Sequence, residues 1–140
     1  MTLYLIRHGE TELNASRVVQ FPGTPLGDRG KLQAIHLSDF LGSQKIKKIL
    51  TSDYLRARMT AESIRDKTQA ELLEISALRE RNFGDIRGKH YDDFEGIDIF
   101  AQDYLPPGGE SWTEFNQRVD RAWAIVQAHL ELTEGNLAVV

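Results

Sequence analysis

The sequence contains no cysteine, which leaves neither a disulfide framework nor thiolate chemistry open to it and is compatible with a reducing cytosol. An excess of positive charge is missing as well. The 17 Lys and Arg stand against 21 Asp and Glu, for a net charge of −4 and a pI near 5.6. That balance excludes a general nucleic-acid binder held by phosphate contacts. No apolar run approaches the roughly 20 residues of a membrane span. The first apolar segment follows Met1 directly, with no basic region before it. The expectation is therefore a soluble cytoplasmic chain without a leader, with no membrane and no nucleic acid among its partners. Histidine is scarce too: besides His8 there are only His36, His90 and His129, with no metal-ligand spacing among them. No metal site is expected, and these three imidazoles are read as surface or packing residues.

What remains is the composition of an ordinary globular domain, 140 residues with 41% hydrophobic and 27% charged. Its most informative stretch comes first. Thr2–Ile6 is a short apolar run rich in strand formers and reads as a buried first strand. Arg7-His8-Gly9-Glu10-Thr11 follows it, with Asn14 three residues on. Open α/β sheets present functional groups at the carboxyl ends of their strands, where Arg7 and His8 fall. A guanidinium beside an imidazole suits a phosphoryl group: the first binds its oxygens in a fork while the neutral second attacks phosphorus. Gly9 allows a sharp turn and close approach of a ligand.

Further along, strand and helix signals alternate. Asn14–Gln20 reads as a loop or a short helical turn, and Phe21–Pro25 as a turn-rich connection. From about Asp28 to Leu41 the apolar positions Leu32, Ile35, Leu37, Phe40 and Leu41 predict a partly amphipathic helix closed by Gly42. Ile46–Thr51 reads as a second strand, with Ser52-Asp53 as the cap of a helix carrying Arg56 in its first turn. Arg58 points elsewhere on that helix and is expected in solvent. Leu72–Ile75 reads as a third strand, followed by Leu78-Arg79-Glu80-Arg81-Asn82-Phe83-Gly84-Asp85 and Gly88. Glu80 could pair with Arg79 or Arg81, or serve as a proton donor and acceptor. The acidic and aromatic segment Tyr91–Leu105 has weak periodicity and is expected to form a lid beside the pocket. Ser111 and Glu114 make a capping box for a long helix. Its stripe of Trp112, Phe115, Val119, Ala122, Trp123, Val126 and Leu130 is expected to face the core. Leu137–Val140 begins a fourth strand.

The string Arg7-His8-Gly9-Glu10-Thr11 with Asn14 resembles the signature of the histidine phosphatase superfamily, also called phosphoglycerate mutase-like. By chance the five-residue string alone, without Asn14, arises in a chain of this length on the order of once in 10^4 to 10^5 sequences. Pro25-Leu26, Gly30 and Gln33-Ala34 are similar to a second family stretch, in which Gly27 replaces the usual Thr. Ser52-x-x-x-Arg56-Ala57 with Thr60-Ala61 matches another, and Leu78-x-Glu80 with Phe83-Gly84-Asp85 and Gly88 a further one. The turn Pro107-Gly108-Gly109-Glu110-Ser111 recurs notably among α-ribazole phosphatase-like members. The chain departs from the pattern at Gln20-Phe21, where the family has Gln-Gly.

The resemblance implies a single α/β domain over residues 1–140, a three-layer sandwich on a mostly parallel sheet, as the alternation of strands and helices also suggests. It implies phosphoryl transfer through a phosphohistidine on His8, without cofactor or metal. Arg7, Asn14 and Arg56 would hold the phosphoryl oxygens, Gly9 would give them access, and Glu80 would donate and accept the proton. Two cations beside His8 would keep it neutral. The partner would be a small phosphorylated metabolite. In the family, the strand corresponding to Leu137–Val140 delivers a second His-Gly, which the 140 residues do not contain. A C-terminally incomplete domain, weak anion binding, little turnover and homo-oligomers through an exposed sheet edge are the resulting expectations. Between Arg81 and Leu105 the only cations are Arg81, Arg87 and Lys89. That scarcity favours a phosphomonoesterase over a phosphoglycerate mutase, with a non-enzymatic phosphate-binding remnant as the alternative of another class.

Overall fold

The computed structural model describes Met1–Val140 and contains four strands and four α-helices. Strands β1 (Leu3–Leu5), β2 (Ile46–Thr51), β3 (Glu71–Glu74) and β4 (Asn136–Val139) form one sheet in the order β1-β4-β2-β3, with every pair parallel. Helices are α1 (Glu12–Ala15), α2 (Asp28–Leu41), α3 (Leu55–Thr68) and α4 (Trp112–Leu132). Parallel pairing requires crossovers, and these place helices on both faces.

Alternation along the strands divides the core in two. Ile46, Ile49 and Ala138 meet Leu41 of α2 and Ala61 and Ile64 of α3 on one face. Leu50, Leu137 and Val139 meet Val126 of α4 on the other. The three-layer sandwich expected from the sequence is therefore present. Ile49, Leu50, Ile64 and Leu137 are completely buried, each contributing about 1.5–3 kcal/mol of hydrophobic stabilisation.

Three sequence readings are corrected. The first strand is an edge strand, paired only with β4, and Leu5 is 71% exposed rather than buried. Helix α2 spans Asp28–Leu41 as expected, but its buried face is Gly30, Ala34, Ser38 and Leu41. Leu32, Ile35 and Phe40 face solvent because α2 packs closely on α3 through its small residues. On α4 only Ala122 and Val126 are buried, and Val119 and Trp123 are exposed. A helix that lies against a narrow sheet covers it with fewer positions than its stripe provides.

The segment after Glu80 forms a satellite cluster. Val19, Phe83, Ile86 and Ile99 are buried together with flanking Tyr91, Phe94 and Tyr104. No helix is long and apolar enough to cross a membrane.

Candidate active site

The carboxyl ends of the strands are tied into one rim by backbone bonds. Ile6 N–H donates to Val139 O, and Ser52 N–H to Val140 O. Arg7 and His8 leave β1 at this rim. The turn they enter is held from α2, where Gln33 Oε1 accepts the Glu10 N–H at 2.8 Å. A Cβ on Gly9 would lie 2.5 Å from the Gly30 carbonyl oxygen, and one on Gly30 would collide with the Glu10 carbonyl. The close approach that Gly9 permits is thus made by α2. Thr60 on α3 completes the support, its hydroxyl accepting the Gly9 N–H at 3.2 Å and donating to Arg56 O at 2.9 Å.

Arg56 is the buried centre of the constellation, with 2% of its surface exposed. It stands in the first turn of α3, whose N-cap is Tyr54 with no side-chain cap. Ser52, expected as part of a cap, instead accepts the Tyr54 N–H, while Asp53 is held by Arg79. The Arg56 guanidinium donates three ways. Nε reaches His8 Nε2 at 3.2 Å, Nη1 reaches Phe21 O at 2.9 Å, and Nη2 reaches Glu80 Oε2 at 2.6 Å. Tyr54 stacks on the same guanidinium, 5.1 Å from its ring centre. Glu80 therefore pairs with neither sequence neighbour: Arg79 takes Asp53, and buried Arg81 takes the carbonyls of Glu110, Ile99 and Tyr104. Arg58 forms a partly exposed pair with Glu74.

The His8 ring faces the Gly9 carbonyl through Nδ1 at 2.7 Å, which assigns the proton to Nδ1 and leaves the Nε2 lone pair to accept from Arg56 Nε. Its pKa lies below the ordinary 6.5. Burial is the largest cause, Arg56 and Arg7 add to it, and the Gly9 carbonyl and Glu80 oppose it. The two cations are thus a secondary reason for the neutral ring. Arg7, His8, Arg56 and Glu80 line a common cavity of about 190 Å³, together with Tyr54, Leu78 and Val140.

Asn14 is placed outside that cavity lining. It closes the cap of α1, its Oδ1 accepting the Thr11 N–H at 2.5 Å and the Thr11 hydroxyl at 2.9 Å, so its amide N–H groups are free to donate. Tyr91, in the segment read as a lid, lies in the fields of both Glu80 and Arg7. Burial first, then the Glu80 charge, pushes its hydroxyl above the ordinary 10.0. No sequence signal marked Tyr91 as part of the site, because it acts through contacts between distant segments. Thr60 falls in the stretch that resembles the family, and its support of Gly9 depends on the same kind of contact. No group of His, Asp and Glu is arranged to hold a metal ion.

The sequence profile of the histidine phosphatase superfamily (branch 1) matches residues 3–140. This chain belongs to the histidine phosphatase superfamily. Among its relatives, the protein named "Probable phosphoglycerate mutase GpmB" of Salmonella choleraesuis is 34% identical over 145 residues, 97% of this chain. The histidine phosphatase chain described here spans 66% of that relative's length. Among solved structures, the α-ribazole phosphatase from Shigella flexneri superposes with a TM-score of 0.87 at 32% identity, covering 100% of this chain and 73% of that one. YhfR of Bacillus stearothermophilus gives a TM-score of 0.82 at 33% identity, covering 99% and 72%.

Proposed function

We propose that this histidine phosphatase domain transfers the phosphoryl group of a small phosphate ester to His8 and then to water, as a phosphomonoesterase. The observation that carries the reading is the contact of one buried guanidinium, Arg56, with both His8 Nε2 and Glu80 Oε2. Nε2 attacks phosphorus as the bond to the leaving oxygen breaks, and Glu80 gives that oxygen its proton. Glu80 then takes a proton from the water that attacks the phosphohistidine, releasing phosphate and restoring His8. An incoming phosphoryl group competes with Glu80 for the Arg56 fork, which turns the carboxyl group toward the leaving oxygen. Arg7, with Asn14 from the α1 cap, adds donors to the phosphoryl oxygens, and the charge they neutralise is the one that grows in the transition state.

The mutase name carried by relatives favours a second reading, isomerisation of a phosphoglycerate. Against it, Arg81 is buried and spent on carbonyl oxygens, and Arg87 donates to the Tyr54 hydroxyl, leaving few cations for a bisphosphorylated species. The substrate partner we infer is a small phosphorylated metabolite, and the location cytoplasmic.

Rapid quench with labelled aryl phosphate is expected to trap acid-labile phosphate on His8 and none in His8→Ala. Glu80→Gln is expected to slow alkyl esters by about 10²-fold or more while sparing aryl esters, which need little protonation. Label on another residue refutes the nucleophile. Anion binding with no phosphohistidine supports a binding remnant instead, and phosphate moved within a phosphoglycerate without release supports the mutase.

A further inference from the structure

Glu80 sits in an irregular loop with no helix or strand of its own, and its side chain is half exposed. What fixes its backbone comes from the far end of the chain. Arg118, on α4, lies under the loop with its side chain largely buried. Its Nη1 donates to Ala77 O at 3.0 Å and to Arg79 O at 2.6 Å, and its Nη2 to Glu80 O at 3.3 Å. The remaining donors hold Glu110 in a fork, Nε to Oε1 at 2.9 Å and Nη2 to Oε2 at 2.7 Å. Every N–H direction of the guanidinium is therefore committed.

Glu110 carries the hold to the other flank. Its Oε2 also accepts the Asn82 N–H at 3.1 Å, its own N–H donates to Asn82 O at 2.8 Å, and its carbonyl takes Arg81 Nε at 3.0 Å. Residues 77–82 are thus gripped before and after Glu80 by two residues eight positions apart. Neither residue makes a hydrogen bond to His8 or Arg56.

We propose that the Arg118–Glu110 pair is a positioning device for Glu80, which sets the carboxyl group's reach to the leaving-group oxygen. The proposal rests on the phosphoryl-transfer reading above. A general acid must come within roughly 2.6–3.2 Å of the atom it protonates, so a small loop displacement removes it from the reaction while leaving His8 intact. A lysine at 118 keeps the charge but has three donors on a single nitrogen, and it cannot grip three carbonyls and a carboxylate together.

The test is single-turnover phosphorylation of His8 from an alkyl phosphate and from p-nitrophenyl phosphate, in wild type, Arg118→Lys and Glu110→Gln, each with and without Glu80→Gln. Circular dichroism and a thermal melt accompany each protein. Arg118→Lys is expected to lower the alkyl rate by about 10–100-fold and the aryl rate by less than about threefold. In the Glu80→Gln background it is expected to have no further effect on the alkyl ester. Glu110→Gln, which retains an acceptor for Arg118 and Asn82, gives the same selective loss at smaller amplitude and serves where the lysine variant does not fold. Equal losses on both esters, or losses that multiply with that of Glu80→Gln, overturn the proposal. Failure of wild type to phosphorylate His8 from either ester overturns the phosphoryl-transfer reading itself, and the positioning role with it.

Discussion

The His8 imidazole donates through Nδ1 to the carbonyl of its own neighbour, Gly9, and this local bond aims Nε2 at Arg56, which comes from 48 residues away. The motif around His8 could be read in the sequence because its residues are contiguous. Burial, the main cause of the ring's lowered pKa, could not be read, because it is made by α3 and the loop around Leu78 and Glu80. The sign follows directly. Above 6.5 the ring is neutral in folded and unfolded chains alike. As pH falls, the unfolded chain takes up the proton first, so the stability associated with His8 declines as pH drops toward its lowered folded value. An NMR titration of the His8 ring is expected to give a midpoint below 6.5, with the acid limb of His8 phosphorylation on the same side. Glu80→Gln removes a charge that raises the value and is expected to lower the midpoint further. A midpoint at or above 6.5 contradicts this account.

At the scale of elements, most signals with a local cause agree with the structure, the Ser52-Asp53 cap excepted, and signals that depend on distant partners do not. The boundaries of α2 and β2 agree because helix and strand periods, with their terminal residues, act within a few positions. Ser111 and Glu114 form the full reciprocal cap at the start of α4. Which face of a helix is buried depends on what packs against it, so Leu32, Ile35 and Phe40 of the apolar stripe on α2 lie in solvent, as does Trp123 of the α4 stripe expected to face the core. The segment Tyr91–Leu105 was legible only as a lid. Its single 3-10 turn, Tyr91–Phe94, is tied to the chain at Arg17 O, and its later part is held by contacts such as Arg81 to Tyr104 O and Trp112 Nε1 to Ala101 O. The cap on α4 can be measured. Ser111→Ala removes an acceptor for the Glu114 N–H and is expected to cost about 1 kcal/mol in urea unfolding. The effect is expected to be confined to stability, with no change in the ratio of alkyl to aryl turnover. A loss below a few tenths of a kcal/mol means the cap contributes nothing.

At the scale of the whole molecule, the sheet ends at β1, and the bonds from Ile6 N–H to Val139 O and from Leu137 N–H to Thr2 O direct the even-numbered residues toward β4. Backbone polarity alternates along a strand, so the groups of Leu3 and Leu5 point to the open side. An open edge beside an exposed leucine is a template for pairing with another chain. Met1, Leu5, Val119, Trp123 and Leu132 are all exposed, which adds apolar surface beyond the edge itself. The 140-residue chain is therefore expected to associate as its concentration rises, with the association persisting in salt that screens charge. Leu5→Lys places a charge beside the open edge without removing a β1–β4 hydrogen bond, and it is expected to shift the population toward monomer. Size exclusion with light scattering across a hundredfold dilution series measures both effects. A wild-type monomer at every concentration would show that β1 is already protected, and an associated state unchanged by Leu5→Lys would place the contact on another surface.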